Sequence, residues 1–385
     1  MNKLKGNKGE WSELYVLVSL LAEGKLFQSD FELNKDLNNV YEIVKAYKEE
    51  KNHELEFERN SSISLFKIQN GTRDLIKTYS ISDVKKISEA LYEGINKGEG
   101  KSFVIEKLDK VFEEMKVEKL KANSSVKSDI KLKIYDHRLA KETDLGFSIK
   151  SLLGGNSTLF NTTGGNNFIF SIQNFPNESL ENFNARTYKP SDKTSKITFR
   201  LKELHRNGSD LKFDSIQSNQ LWKNLKMIDG DLPEILGWAL YYRYFFSVSD
   251  IKSVCDLLEE KDPMHFYFGE KSIQRLYEYK IKKFLAEAAM GMTSEKPWFG
   301  EYDSFGGVII AKEDGDIVCF HIYDFNLFRK YLINNTVFEQ ASTGEDSDFP
   351  GQKRNKGKKY FYGWIDEEDE KLLIKLNLQV RFKKN

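Results

Sequence analysis

Cysteine is scarce in this 385-residue sequence, which contains only Cys255 and Cys319 and no Cys-x-x-Cys pair. A structural zinc site or a disulfide framework requires several cysteines at characteristic spacings, so the sequence argues against both. Each of the two cysteines lies among apolar neighbours. This setting predicts two reduced cysteines in the hydrophobic core of a cytosolic protein.

Long hydrophobic runs and an excess of charge of one sign are also missing. No stretch approaches the roughly 18 apolar residues of a membrane span, and the N-terminal residues MNKLKGNKGEW lack the apolar region of a secretion signal. Lysine plus arginine and aspartate plus glutamate both number 59, so the formal net charge is zero. A non-specific nucleic-acid coat would be basic overall, whereas a sequence-specific enzyme needs only local basic stretches. We therefore expect a cytoplasmic protein without a membrane partner.

The chain is long enough, and its 13% aromatic content high enough, to bury a large core. The pattern of predicted helices and strands indicates an α+β protein with either one elaborate domain or two modest ones. We expect residues 1–292 to form the core with added helices. Residues 293–385 are then a β-rich C-terminal region that could take part in DNA recognition.

Hydrophobic periodicity predicts the individual elements. Apolar residues from Trp11 to Leu21 recur at three- and four-residue spacing, which predicts a helix with one buried face. A second helix is expected over 39–50, and Asn207-Gly208 between two alternating runs predicts a β-hairpin. Further helices are expected over 231–246 and 249–260, and further strands over 307–311 and 317–323.

Two neighbouring strands carry the residues that point to chemistry. Ile130, Leu132 and Ile134 alternate with charged residues and predict a half-buried strand that begins beside Asp129. Leu145–Leu153 is more continuously apolar, which predicts a central strand, and it contains Lys150. Antiparallel pairing of these strands can bring Asp129 and Lys150 together on one face of a sheet. The order of acid, loop, and x-Lys on the next strand resembles the core of PD-(D/E)xK nucleases.

The residue types suit magnesium-dependent hydrolysis of a phosphodiester. Mg²⁺ prefers oxygen ligands and keeps several waters, so one or two carboxylates suffice. Asp129 is the expected metal ligand, and the main-chain carbonyl of Ile149 is a second candidate. Water bound to the ion becomes more acidic and can attack phosphorus, while a partly desolvated Lys150 orients that water and pairs with the phosphate.

Ser148 departs from the pattern, because PD-(D/E)xK nucleases usually have an acid at this position. A hydroxyl cannot supply the missing charge, so another carboxylate should compensate. Residues Lys5–Glu13 fit Lys-Gly-x-x-Gly-x-x-x-Glu, a pattern that is similar to the opening helix of MutH-type nucleases. The match favours Glu13 over Glu10 as the compensating ligand, although the two are one turn apart and could exchange roles.

Several segments in the same order resemble the HpaII group of type II restriction endonucleases. The most specific of them are KGEWSE at Lys8–Glu13, SDIKL at Ser128–Leu132 and GFSIKSLLGGNSTLFN at Gly146–Asn161. Softer likenesses continue through Gly306–Tyr323 to Lys375–Lys383, so the resemblance covers nearly the whole chain.

This resemblance implies a PD-(D/E)xK restriction-endonuclease core, a mixed central sheet flanked by helices. It also implies a site-specific deoxyribonuclease that uses Mg²⁺, cuts double-stranded DNA at the palindrome CCGG and leaves 5′-phosphates. A cytosine methyltransferase would protect the same site without forming a stable complex. The HpaII group carries the same Ser-Ile-Lys triplet, so Ser148 counts as part of the expected catalytic set with Asp129, Lys150 and Glu13.

Two segments could contact DNA. The first follows Lys150 and supplies short polar side chains and a flexible backbone; its candidates are Ser151, Asn156, Ser157, Thr158 and Asn161. The second is QKRNKGKK at Gln352–Lys359, the densest basic run of the chain, with Lys353, Arg354 and Lys356 as phosphate-contacting candidates. Ordinary surface loops are the alternative explanation for both segments.

Two other functions remain open at this stage. One is a MutH-like enzyme that nicks DNA in repair. The other is a DNA-binding protein that has lost catalysis, as the missing acid at Ser148 would allow. A homodimer would suit a palindromic site, whereas a monomer could cut the two strands in turn.

Overall fold

The computed structural model describes residues 3–120, 128–155, 157–186, 195–268, 273–301, 306–354 and 360–383. Within these ranges the chain is a mixed α+β protein whose helices flank β-sheets, as the sequence predicts. The helices are α1 (Lys8–Glu23), α2 (Ile81–Lys97), α3 (Asp109–Glu114), α4 (Leu180–Ala185), α5 (Lys196–Arg206), α6 (Asn219–Ile228), α7 (Leu232–Phe245), α8 (Ile251–Lys261), α9 (Leu276–Ala289) and α10 (Phe325–Asn335).

The strands belong to three sheets in the described residues. Their bounds are β1 (Lys25–Ser29), β2 (Lys35–Glu49), β3 (Glu54–Arg59), β4 (Ile63–Gln69), β5 (Thr72–Tyr79), β6 (Ile130–Asp136), β7 (Lys141–Ser151), β8 (Thr158–Phe160), β9 (Asn167–Gln173), β10 (Asp210–Ile216), β11 (Gly307–Ala311), β12 (Ile317–His321), β13 (Thr336–Phe338), β14 (Ile365–Glu368), β15 (Lys371–Asn377) and β16 (Val380–Phe382).

Two compact units make up the structure, and each is assembled from separate stretches of the chain. The first unit contains the described residues up to Ser157 and those from 306 to Tyr331. The second contains the described parts of Thr158–Glu301 and Leu332–Lys383. The sequence-based division into 1–292 and 293–385 is a different partition of the chain and remains a prediction.

The first unit is built around a nine-stranded sheet in the order β1-β12-β11-β7-β6-β2-β3-β4-β5. Strand β7 runs parallel to β11 and antiparallel to β6, so the sheet is mixed. Strand β7 is fourth among the nine strands, which confirms the prediction of a central strand. Its antiparallel pairing with β6 confirms the predicted neighbour. The outward strands β2 to β5 are all antiparallel.

Helix α1 packs its apolar residues into the core of the first unit, together with α2 and the sheet. The helix begins at the N-cap Asn7, whose side chain accepts a hydrogen bond from Glu10 N at 3.0 Å, while Asn7 N donates to Glu10 Oε2 at 2.9 Å. This reciprocal capping box satisfies two backbone donors at the helix start. The helix ends at Gly24, whose φ of 75° is the left-handed conformation that glycine adopts without strain.

The second unit contains a four-stranded sheet, β10-β9-β15-β14, and a three-stranded sheet, β13-β16-β8. Helices α5 to α9 supply most of its remaining core. The predicted helices over 231–246 and 249–260 are confirmed as α7 and α8.

Two expectations from periodicity are wrong. Residues 39–49 are strand rather than helix. The register of β2 shifts between Ile43 and Lys45, so its buried residues Tyr41, Ile43, Ala46 and Lys48 do not keep a strict two-residue period. Residues 196–204 form α5, which is capped by Ser195, so Asn207-Gly208 ends a helix instead of turning a hairpin. Gly208 has a φ of 74°, a conformation that is found both after the end of a helix and in a hairpin turn, and this explains the wrong prediction.

Both cysteines are buried and neither forms a disulfide, which agrees with the prediction of core thiols. Among the described residues, no helix combines the length and the apolar character that crossing a lipid bilayer would require.

Candidate active site

The side chain of Asp129 is fixed against β7 at the start of β6. Its Oδ2 accepts hydrogen bonds from Ser148 Oγ at 3.1 Å and from Ile149 N at 2.7 Å. Asp129 N also donates to the carbonyl of Phe147 at 3.0 Å. Both side-chain bonds use Oδ2, so the remaining oxygen, Oδ1, can bind a ligand without breaking them.

Lys150 lies on the same face of the sheet as Ser148, because residues two apart on a strand point in the same direction. The hydrogen bond from Ser148 brings the Asp129 carboxylate to that face as well. Asp129 and Lys150 therefore lie on one face of the sheet, while their role as a catalytic pair stays a prediction.

The carbonyl of Ile149 is directed towards the same place. Gly146 O accepts from Gly306 N next to β11, and Phe147 O accepts from Asp129 N next to β6. Alternate residues of a strand direct their backbone groups to alternate sides. Ile149 O therefore points to the β6 side, one step beyond the last paired residue Ile130, where Asp129 lies.

Burial lowers the pKa of the Lys150 ammonium below its usual value, and the negative charges of Asp129 and Glu13 oppose that shift. A charged group removed from water is stable only beside an opposite charge. The three side chains therefore form one electrostatic group, in which the two carboxylates favour the charged form of the lysine.

The structure distinguishes the two glutamates of α1. Glu10 makes the capping box with Asn7, whereas Glu13 lines a pocket of about 220 Å³ with Asp129. Buried Leu14 and Leu17 on the next turns of α1 form another part of the same wall. Of the two acids that the sequence left open, Glu13 is the one that joins Asp129.

Lys48, a lysine that lines this pocket, was missed by sequence reasoning. Its Nζ lies 2.9 Å from Glu50 Oε1 and donates to Lys119 O at 2.7 Å. The side chains of Lys48 and Glu50 are only 9% and 0% exposed, and Glu50 Oε2 accepts from Glu118 N and Lys119 N. The helix predicted over 39–50 concealed this pair, because residues two apart, such as Lys48 and Glu50, lie on one face only in an extended chain.

The donor set of the pocket suits a hard divalent cation held mainly by water. Asp129 and Glu13 offer carboxylate oxygens, and Ile149 offers a main-chain carbonyl, which are ligand types that Mg²⁺ accepts. In the described part of the chain, no group of three or more His, Cys, Asp or Glu side chains is arranged to hold a metal ion. The residues therefore fit an ion that keeps several waters and do not form a closed cage of side chains.

The predicted DNA-contacting residues occupy different environments. Ser151 Oγ donates to Ser12 Oγ at 2.8 Å and accepts from Leu153 N at 3.1 Å, so it is used between α1 and β7. Ser157 and Thr158 are partly buried, and Thr158 pairs with Arg381 in the three-stranded sheet. Asn161 is exposed. Asn156 lies outside the described residues.

In the basic run, Lys353 is exposed and forms an isolated β-bridge with Glu345. Arg354 N donates to Gly344 O at 2.9 Å, and Arg354 Nη2 donates to Ser347 Oγ at 2.6 Å. Both residues therefore belong to an ordered turn within the second unit. Lys356 lies outside the described residues.

Comparison with known proteins gives a match over almost the entire chain. The model of the HpaII restriction endonuclease family matches residues 7–382. The chain is 33% identical over 385 residues to the type II restriction enzyme HpaII of Haemophilus parainfluenzae, with 98% of each chain covered. No solved structure matches the chain significantly.

Proposed function

Because the chain belongs to the HpaII restriction endonuclease family and is a type II site-specific endonuclease, we propose that it cuts double-stranded DNA at the pocket of Asp129 and Glu13, with Lys150 beside them on β7. The proposal includes CCGG as the recognition site, Mg²⁺ as the cofactor and 5′-phosphates as products. Strands β6 and β7 would be the equivalent of the PD-(D/E)xK core.

One observation carries the proposal. Ser148 Oγ and Ile149 N both hold Asp129, which directs its carboxylate to the face of Lys150, while Glu13 reaches the same pocket from α1. Residues that are far apart in sequence thus bring two acids to one pocket, and the buried ammonium of Lys150 lies near enough to both acids to be affected by their charges. This is the residue set that phosphodiester hydrolysis with a hard cation requires.

Each residue has a defined part in the proposal. Asp129, Glu13 and the carbonyl of Ile149 would hold the metal ion, which when bound makes water more acidic and offsets charge on the phosphate. Lys150 orients the attacking water and pairs with a phosphate oxygen, and burial makes its ammonium better able to give up a proton. Ser148 holds Asp129 in place through its hydroxyl.

The test is cleavage of an unmethylated plasmid with Mg²⁺, followed by mapping of the cut ends. Discrete linear fragments with 5′-phosphates at CCGG are expected, and methylation of the site by a cytosine methyltransferase should protect it. Nicked circles would favour the repair alternative, and band shifts without cutting would favour a binding protein. Fragments that persist in the double variant Asp129→Ala/Lys150→Ala would refute the assigned site.

A further inference from the structure

Buried side-chain amides are concentrated in the second unit and all serve to fix loops. Asn166, Asn167, Asn224 and Asn377 are each 1% exposed or less. A buried amide is costly unless its donors and acceptors are satisfied, and a satisfied network makes the surrounding backbone rigid. The loops that these amides hold are therefore better ordered than ordinary surface turns.

The first such loop is Asn161–Gly165, between β8 and β9. Asn166 Nδ2 donates to Asn161 O at 2.9 Å and to Leu378 O at 3.1 Å, and Asn377 Nδ2 donates to Thr163 O at 3.0 Å. Ser218 N donates to Gly165 O at 3.0 Å, which joins the loop to the residues that precede α6.

The second loop is Thr293–Phe299, after α9. Asn224 Nδ2 donates to Thr293 O at 2.9 Å and to Lys296 O at 2.8 Å, and its Oδ1 accepts from Trp298 N at 3.1 Å. The Trp298 indole is fixed in turn by Glu287, at 2.8 Å. A single buried side chain on α6 thus determines the path of six residues.

The two loops are bonded to each other as well as to α6. Thr163 Oγ1 and Ser294 Oγ lie 3.3 Å apart, and Ser218 Oγ donates to Ser294 O at 3.2 Å. Loop Asn161–Gly165, loop Thr293–Phe299 and residues 217–219 therefore form one connected surface within the second unit, which we call the amide-locked surface.

Several side chains of the amide-locked surface are exposed to solvent. Asn161, Gln217 and Lys296 are exposed, and Phe299 is 68% exposed. Gln217 Oε1 accepts from Asn167 Nδ2 at 2.9 Å, so the Gln217 amide is oriented with its NH₂ group available. The surface combines amides, an ammonium and an aromatic ring on a rigid backbone.

We propose that the amide-locked surface reads base edges of double-stranded DNA, with Asn161 and Gln217 as base contacts, Phe299 as an apolar contact in the groove and Lys296 as a phosphate contact. The Asn161 amide presents a donor and an acceptor together, and the Gln217 amide presents its NH₂ donor; both suit base edges, whereas lysine recognises phosphate as a point charge. Specific contacts need a backbone that is already ordered, which the buried amides provide. The inference rests on DNA as the substrate of the proposed function.

The experiment measures DNA preference without cutting. Full-length protein in buffer without divalent ions selects duplexes from a randomised pool, and sequencing gives the preferred site. Binding of that site and of a scrambled duplex is then measured by fluorescence anisotropy at several salt concentrations. The variants are Asn161→Ala, Gln217→Ala, Phe299→Ala and Lys296→Ala, with the exposed residues in Asn182→Ala and Phe268→Ala as matched controls.

Loss of a base contact should reduce the preference for the selected site by about 5- to 150-fold, with little change for the scrambled duplex or in salt dependence. Phe299→Ala should also weaken the selected site more than the scrambled one. Lys296→Ala should weaken both duplexes alike and reduce the salt slope by about 0.9. The controls should bind like the wild type.

Full retention of preference in Asn161→Ala, Gln217→Ala and Phe299→Ala together would overturn the inference, whatever the enzyme cuts. A normal thermal melting profile for each variant ensures that a loss is not due to unfolding. If the variants lose preference while Asp129→Ala/Lys150→Ala still cuts, the active-site assignment fails and the reading surface stands. The two proposals are therefore tested separately.

Discussion

Ser148 donates a hydrogen bond from its Oγ to Oδ2 of Asp129 over 3.1 Å. In the proposed equivalence to a PD-(D/E)xK core, Ser148 takes the position of an acid, and its hydroxyl supports the acid of the neighbouring strand. A second negative charge is supplied from α1, where Glu13 lines the same pocket. The arrangement keeps two carboxylates in the pocket while it avoids placing both on adjacent strands, where like charges repel.

Loss of either central residue should stop cleavage without preventing DNA binding. Asp129→Ala removes a proposed metal ligand, and Lys150→Ala removes the group proposed to orient water. We expect each variant to lower the cleavage rate at least about 10²- to 10³-fold, as for other groups that stabilise a transition state. Single-turnover cleavage of plasmid DNA measures the rate, and anisotropy measures binding. Asp144→Ala and Lys133→Ala, on the same two strands, should cut normally.

The two glutamates of α1 should separate function from stability. Glu13→Gln removes a carboxylate from the pocket and should cut poorly at every Mg²⁺ concentration, with an unchanged melting temperature. Glu10→Gln keeps an acceptor for Asn7 N and loses only a negative charge at the helix start, so it should cost about 0.3–1 kcal/mol of stability while cleavage continues. Thermal melting measures the stability of each variant, and cleavage assays of the same preparations measure its activity. A Glu10→Gln variant that folds normally and fails to cut would reverse the assignment.

Replacement of Ser148 tests its supporting role. Ser148→Ala loses one hydrogen bond to Asp129, while the bond from Ile149 N remains. A hydrogen bond to a carboxylate is worth about 1.5–3 kcal/mol, so the rate should fall by about 10- to 100-fold. The Mg²⁺ concentration for half-maximal cleavage should rise, because Asp129 is less well fixed. Inactivity as complete as that of Lys150→Ala would mean that the hydroxyl itself takes part in the reaction.

The buried pair of Lys48 and Glu50 should contribute strongly to stability. Lys48→Met leaves the Glu50 carboxylate buried without its partner, and breaking such a pair costs about 3–5 kcal/mol. Glu50→Gln in the same chain should restore part of the loss, because a neutral amide can still accept from Glu118 N and Lys119 N. Urea unfolding of the two variants measures the difference. Equal stability of the single and double variants would show that the charge of Glu50 is not what makes the loss of Lys48 costly.

His321 should make the protein less stable in mild acid. Burial, followed by the positive charge of Arg138, lowers the pKa of His321 from 6.5 to about 4. The unfolded chain therefore takes up a proton as the pH falls from 6.5 towards 4, while the folded chain does not. The free energy of unfolding should fall through this window by about 3 kcal/mol in total and be unaffected by this group above pH 6.5.

The comparison variant is His321→Asn, which keeps an acceptor near Tyr323 N, the donor that His321 Nδ1 accepts from at 3.3 Å. Urea unfolding at pH 7.5 and pH 4.5 should show a smaller acid-induced loss in His321→Asn than in the wild type. The same loss in both proteins would show that carboxylates alone determine the acid sensitivity.

Local patterns were sufficient wherever one face of an element is buried and the other is not. Ile130, Leu132 and Ile134 alternate along β6, and the apolar residues of α1 repeat with helical spacing, so both elements could be predicted. The pattern failed for β2, which does not keep its buried face in strict alternation because its register shifts between Ile43 and Lys45. It also failed at Asn207-Gly208, because the same two residues can end a helix or turn a hairpin.

The sequence by itself determined the chemical types of the site: an acid before one strand, a lysine in the next, and a glutamate on the first helix. These follow from residue identity and short-range spacing, which are properties of the chain alone. Tertiary structure decided which glutamate lines the pocket with Asp129, since Glu10 caps the helix with Asn7 and Glu13 faces the pocket. It also decided that Lys48 lines the pocket and that buried amides fix the loops of the second unit. Contacts between residues 70 to more than 200 positions apart, such as Lys48 with Lys119 and Asn166 with Leu378, depend on packing of the whole fold, so no local pattern encodes them.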